Sequence, residues 1–120
     1  MATRVLARPR KNGLQNGLET MVFERQAQIC KAFANPLRLR ILDRISRAEC
    51  SASDLQDFLE ISKANLSQHI AILKAAGVIA SRRDGKQLHY SLAIPEVKEA
   101  CQLIRKVLHA QLDGARKLLM

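Results

Sequence analysis

Between residues 51 and 92 the hydrophobic period changes once, from helical to alternating, and this change narrows the fold more than any other feature of the chain. The helical part reads as two short segments joined by a tight connection. Ser51 caps the first, with Asp54 three positions on in a capping box that carries Asp in place of the usual Glu or Gln. Cys50 and Leu55 have the spacing of a hydrophobic staple, and Leu55, Phe58 and Leu59 are expected to face a core. Ile61-Ser62 makes the connection. Ser62 caps the second segment, Ile61 and Leu66 can staple it, and Leu66, Ile70 and Leu73 point inward. Gly77 is the expected left-handed stop. Beyond it, 78–83 and 86–92 alternate around Asp84-Gly85, a strong hairpin signal. Two short helices followed directly by a hairpin spell a helix-turn-helix with a wing.

The flanks supply more helix. Apolar residues Val22, Phe23, Ile29, Cys30 and Phe33 recur at helical spacing from a cap expected at Thr20. Asn35-Pro36 starts another helix, with Leu37, Ile41, Leu42 and Ile45 on one face and Arg38, Arg40, Arg44 and Arg47 on the other. After Pro95 one long helix carries a continuous stripe through Val97, Ala100, Cys101, Ile104, Leu108, Leu112, Ala115, Leu118 and Leu119. The expected architecture is mainly α: a winged helix-turn-helix with a two-stranded antiparallel wing and N- and C-terminal dimerisation helices. Residues 1–19, polar and basic, are expected to form a flexible arm, and 20–120 a single DNA-binding and dimerisation domain.

A stripe as long as that of the last helix is more than one small domain can cover. The first and last helices therefore suggest a two-fold interface through Val22, Phe23, Ile104, Leu108 and Leu112. The alternative is a stripe packed wholly within one chain.

The charge balance points to the partner. Among 120 residues, 20 Lys and Arg against 11 Asp and Glu leave a net charge of +9, which suits a polyanion. A membrane is disfavoured, because no apolar stretch approaches the roughly 20 residues of a spanning helix. The N-terminal residues lack the apolar middle of a secretory signal. Three cysteines without a Cys-x-x-Cys spacing argue against a disulfide framework and for a reducing cytoplasm. No phosphate-binding Gly loop, nucleophile elbow or carboxylate/His cluster suggests an enzyme.

In such a fold the second short helix lies in the major groove of double-stranded DNA, where base edges are distinguishable. Its outward residues should be polar, and Ser62, Lys63, Asn65, Ser67, Gln68 and His69 are. Asn and Gln can bond adenine through two contacts, Ser several bases, and Lys guanine or phosphate. Arg82, Arg83 and Lys86 at the hairpin can follow the backbone or enter the minor groove. Two other classes compete. A non-specific nucleoid or RNA-binding protein would share the phosphate term, but RNA and single strands usually call for exposed aromatics. Here Phe23, Phe33 and Phe58 are expected to be buried, leaving only Tyr90 at the wing. A winged helix kept only for protein contacts would not need Lys63, Asn65, Arg82 and Arg83.

With these motifs placed, the chain resembles the ArsR/SmtB family of bacterial winged-helix repressors over about residues 22–112. The resemblance is carried by FANPLRLRILDRI, by LSQHIAILKAAGV and by RRDGKQLHYSL. It implies an obligate homodimer that represses by covering its operator until an inducer releases it, and the two-fold interface predicts that this operator is palindromic. It does not supply the inducer. Where many members hold thiophilic metals through Cys-x-Cys, this chain has Ser51 and Ser53, with Cys50 one place earlier. Where others bind zinc-type metals, the matching positions are Ile94, Glu96, Val107 and Ala110, and His109 is out of step. One carboxylate is not a metal site.

Each cysteine falls on an apolar face, where packing alone can account for it. Cys30 and Cys101, on the first and last helices, carry a second reading: if they meet, they could bind a soft metal or metalloid as thiolates or form a redox disulfide. Cys50 is the third candidate sensing thiol. A thiol-reactive inducer and a repressor without cysteine sensing both remain open here, and no metal is assigned.

Overall fold

The computed structural model describes residues 12–119. Their elements run α1 (Gly13–Phe33), α2 (Pro36–Arg47), β1 (Cys50–Ser51), α3 (Ala52–Leu59), α4 (Lys63–Ala75), β2 (Ile79–Asp84), β3 (Gln87–Leu92) and α5 (Glu96–Leu119).

Local chemistry sets most boundaries. The Asn35 side chain accepts from the N–H groups of Leu37 and Arg38 at 2.9 and 3.1 Å, and Pro36, which has no N–H to satisfy, opens α2. Ser51 accepts from Asp54 N–H at the start of α3, and Ser62 from Asn65 N–H at the start of α4, both at 3.1 Å. α4 ends in a Schellman motif: Gly77 N–H donates to Lys74 O, and Val78 N–H to Leu73 O. Gly77 takes the positive φ of 76° that this requires. The turn between α3 and α4 makes the same pair of bonds, Glu60 N–H to Asp57 O and Ile61 N–H to Gln56 O. There Glu60 occupies the left-handed region at φ 56°.

The sheet is antiparallel in the order β1-β3-β2. Asp84 opposite Gln87 leaves a two-residue loop, Gly85-Lys86, with positive φ at Gly85 alone, the pattern of a II′ hairpin. β1 is a third strand that the sequence did not reveal. It is two residues long, pairing Cys50 with Tyr90 and Ser51 with His89, and its cap and staple residues read locally as a helix start.

The core lies where α2, α3 and α4 meet the base of the sheet, around the fully buried Ile41, Leu42, Leu55 and Leu73. The long helices attach to it by one end each. Ala32 is the only buried residue of α1, and Val97 that of α5, among the described residues. Away from those ends lie two exposed apolar stripes. One runs through Leu14, Leu18, Met21 and Val22; the other through Ile104, Leu108 and Leu112.

Three expectations need correction. α1 begins at Gly13, not at Thr20: Asn12 and Gln15 form a reciprocal capping box, and Thr20 sits inside the helix with its hydroxyl donating to Asn16 O. The weak helix formers Gly13, Asn16 and Gly17 hid that turn. Of the expected arm, residues 12–19 are therefore cap and helix, while 1–11 lie outside the described residues. The aromatics are also reassigned. Phe23 is 63% and Phe58 50% exposed, whereas Tyr90 is 7% exposed. Tyr90 faces the core from the central strand, and Phe58 lies on the outer side of α3 with the Arg40 guanidinium 5.7 Å above its ring.

Candidate nucleic-acid interface

α4 separates its side chains cleanly. Leu66, Ile70 and Leu73 are buried and anchor it to the core, while Ser62, Lys63, Ser67 and Gln68 are exposed near its N-terminus. Asn65 and His69 lie half-buried beside them. The six residues expected to meet DNA therefore share the end and outer side of one helix. The helix dipole and the N–H groups of the first turn add positive potential there. The C-terminal end of α4 is tied to the wing, because Lys74 Nζ donates to Ser81 Oγ at 3.1 Å. Helix and hairpin are thus one surface.

In the wing, Arg83 and Lys86 are exposed. Arg82 is engaged differently: its Nε donates to both carboxylate oxygens of Glu49 at 2.9 Å, and its Nη2 joins the same carboxylate. The Arg82 hydrogen bond draws the Glu49 carboxyl below the usual carboxylate range and raises the Arg82 pKa further. His89, opposite Arg82 in the sheet, has Nδ1 4.0 Å from Glu49 Oε1. The pair fastens the hairpin to the segment between α2 and β1. Glu49 was missed in the sequence because its partner lies 33 residues away and no local pattern links them.

A second missed residue is Arg38, placed from the sequence only with Arg40, Arg44 and Arg47 on the face of α2 opposite its apolar residues. Its Nε donates to Ala32 O at 2.8 Å and its Nη2 to Lys31 O at 3.0 Å, capping the C-terminus of α1. Its Nη1 lies 3.3 Å from His69 Nδ1 on α4.

The cysteines occupy three environments. Cys50 is buried in the core, and desolvation pushes its thiol pKa up. Cys101 is half-buried on the wall of a cavity of about 340 Å³ between α2 and α5, and its pKa is raised by burial and by nearby Asp43. Cys30 is exposed on α1 and does not line that cavity. Among the described residues, no cluster of three or more His, Cys, Asp or Glu is arranged to hold a metal.

A polar-faced helix anchored by an apolar one, with a basic hairpin stitched to its far end, defines a winged helix-turn-helix. The comparisons agree. A family model described as a helix-turn-helix domain matches residues 33–82. The HTH-type transcriptional regulator Rv0081 of Mycobacterium tuberculosis is 36% identical over 88 residues, 72% of this chain and 77% of that protein. Its crystal structure superposes with a TM-score of 0.74 at 35% identity, covering 78% of this chain and 95% of that one. A probable mercury resistance operon repressor of Streptomyces lividans is 35% identical over 79 residues, 66% of this chain and 63% of that protein. The solution structure of the homodimeric winged helix-turn-helix DNA-binding domain of Mb0332 from Mycobacterium bovis gives a TM-score of 0.76 at 25% identity, covering 80% of this chain and 89% of that one. The chain belongs to the ArsR/SmtB family of winged helix-turn-helix transcriptional regulators. It is a DNA-binding regulator and not an enzyme.

Proposed function

We propose that the chain is a sequence-specific repressor that binds a palindromic operator in double-stranded DNA as a homodimer. The observation that carries this is the division of α4 into a buried anchor and an exposed polar face beside a basic wing. Asn65, Ser67 and Gln68 read bases. Ser62, Lys63, Arg83 and Lys86 engage phosphate. Arg82, already held by Glu49, serves chiefly to set the angle of the wing and contributes its charge to the same backbone.

The dimer is supported by the two unpartnered stripes. Val22, Ile104, Leu108 and Leu112 are each about half exposed or more, and apolar surface of that extent is unusual on a monomer. Phe23, named with them for the expected interface, is exposed in the single chain and available to it. Reading two half-sites on one face of the duplex requires the two α4 helices of such a dimer to lie roughly 34–36 Å apart, one turn of the duplex. No helix among the described residues is long and apolar enough to cross a membrane, and the site of action we propose is the cytoplasm.

A thiol-reactive inducer, either a soft metal or metalloid or an oxidant or reactive sulfur species, would act through Cys101 or Cys30. Cys101 lies beside a cavity, Cys30 is exposed in the single chain, and Cys50 is enclosed in the core.

The test is fluorescence anisotropy of the purified, reduced protein on duplex from its own upstream region and on a scrambled duplex. Tight, selective binding is expected, weakening by roughly 10³–10⁵ between 50 and 200 mM salt if 6–10 phosphates are contacted. Asn65→Ala should lose about 1–3 kcal/mol at one operator position. Arg83→Ala should weaken all sequences alike and lower the salt slope by about 1. Equal affinity for both duplexes would instead identify a non-specific nucleoid-type binder.

A further inference from the structure

We propose that Arg38 is a positioning residue of the DNA-reading surface: its guanidinium ties the C-terminus of α1 to α4 and fixes His69 as a neutral ring that offers DNA an Nε2–H donor and no acceptor. The inference rests on the DNA-binding reading above for its consequence, but not for its geometry.

Arginine has donors only and stays protonated at all relevant pH. The 3.3 Å approach of Nη1 to His69 Nδ1 is therefore favourable only when Nδ1 carries a lone pair. A neutral imidazole that accepts at Nδ1 must carry its proton at Nε2. Burial and the Arg38 charge both lower the His69 pKa, so the neutral form is the one present near neutrality.

The guanidinium itself is not free to swing. Nε and Nη2 are held by Ala32 O and Lys31 O in the last turn of α1, where Lys31 O also accepts the Ala34 N–H at 3.1 Å. A cation at that end is also favoured by the helix dipole. The fork thus has one edge on α1 and one on α4, while its own backbone belongs to α2. A second stitch runs the same way: Gln28 Nε2 on α1 donates to Ala75 O at the end of α4 at 3.2 Å. The helix whose apolar stripe lies open at its far end is thereby joined to the helix that reads DNA at the middle of α4, through His69, and at its C-terminal end, through Ala75 O.

The chemical consequence is selectivity. An Nε2–H donor can serve guanine N7 or O6, adenine N7, thymine O4 or a phosphate oxygen, and cannot serve the amino groups of cytosine or adenine. With Arg38 absent, both tautomers become available and His69 can accept as well as donate.

The first measurement uses full-length, DNA-free, 15N-labelled protein near neutral pH. Long-range proton–nitrogen correlation of the ring assigns the tautomer of His69 directly. The Nε2–H form is expected in the wild type, and a mixture in Arg38→Met. A wild-type ring protonated at Nδ1 overturns the proposal, whether or not any variant folds. The second measurement is anisotropy on upstream and scrambled duplex. R38M should bind the upstream duplex at least tenfold more weakly and lose discrimination between the two, with Arg38→Lys recovering part of both. A folded R38M that keeps the Nε2–H form and binds within twofold of wild type also overturns it. An Nε2–H wild-type ring that becomes mixed in R38M supports the latch even if neither protein binds duplex, in which case the DNA reading fails by itself.

Discussion

Ser62 is placed to separate folding from DNA binding in a single position. Its Oγ accepts the Asn65 N–H at 3.1 Å, one of the donors that the first turn of α4 leaves unpaired, while its backbone carbonyl takes Leu66 N–H at 3.0 Å. Ser62→Ala removes only the side-chain acceptor and should cost about 1 kcal/mol, within a range of roughly 0.5–2 for such caps. Ser62→Asp keeps an acceptor, and its charge suits the helix N-terminus, so S62D should be as stable as the wild type or slightly more so. On DNA the order reverses. A carboxylate about 4 Å from a phosphate is repelled by about 1 kcal/mol in bulk water and about 4 kcal/mol at the effective dielectric of a protein surface. At 1.4 kcal/mol per decade this is roughly a five-fold to several-hundred-fold loss. S62A, less stable but uncharged, should bind more tightly than S62D. Urea unfolding followed by circular dichroism, at one fixed protein concentration, gives the first ranking. Anisotropy on the upstream duplex at 50 mM salt gives the second. Affinities that follow the stability ranking, with S62D binding like the wild type, would refute the placement of the α4 N-terminus against phosphate.

Three further outcomes are expected. Leu73→Ala, at a fully buried position on α4, should destabilise the fold by about 2–5 kcal/mol, measurable as a lower urea midpoint at unchanged slope. His69 has a folded-state pKa below its ordinary value, so the unfolded chain binds more protons as the pH falls. Its contribution to stability should be complete above about 6.5 and decline below it, and His69→Gln should remove that part of the pH dependence. Alkylation with mass mapping should label Cys101 before Cys50, whose labelling should wait for global unfolding; equal rates would show that β1 opens locally.

Sequence determines most of this protein that depends on near neighbours. The caps at Asn35, Ser51 and Ser62, the stop at Gly77 and the hairpin all act over a few residues and are readable in the sequence, although the hairpin loop is Gly85-Lys86, one residue beyond the expected Asp84-Gly85. The polar face of α4 follows equally from helical period once Leu66, Ile70 and Leu73 are seen as its anchor. What the chain does is therefore largely legible, because a helix-turn-helix with a wing is a string of short-range signals. The start of α1 was missed where Gly and Asn weakened the local pattern, although the Asn12–Gln15 box was present to be read. Tertiary structure alone decided the rest. Whether Phe58 or Tyr90 is buried depends on which side of its element meets the core, and apolar character cannot specify that for an isolated aromatic. β1 exists only because Tyr90 and His89, some 40 residues on, supply its hydrogen-bonding edge. Glu49 and Arg38 read as ordinary surface charges until the fold brings Arg82 to one and His69 to the other. An ion pair or a guanidinium fork joins groups through space, so its partners leave no period or spacing in the chain.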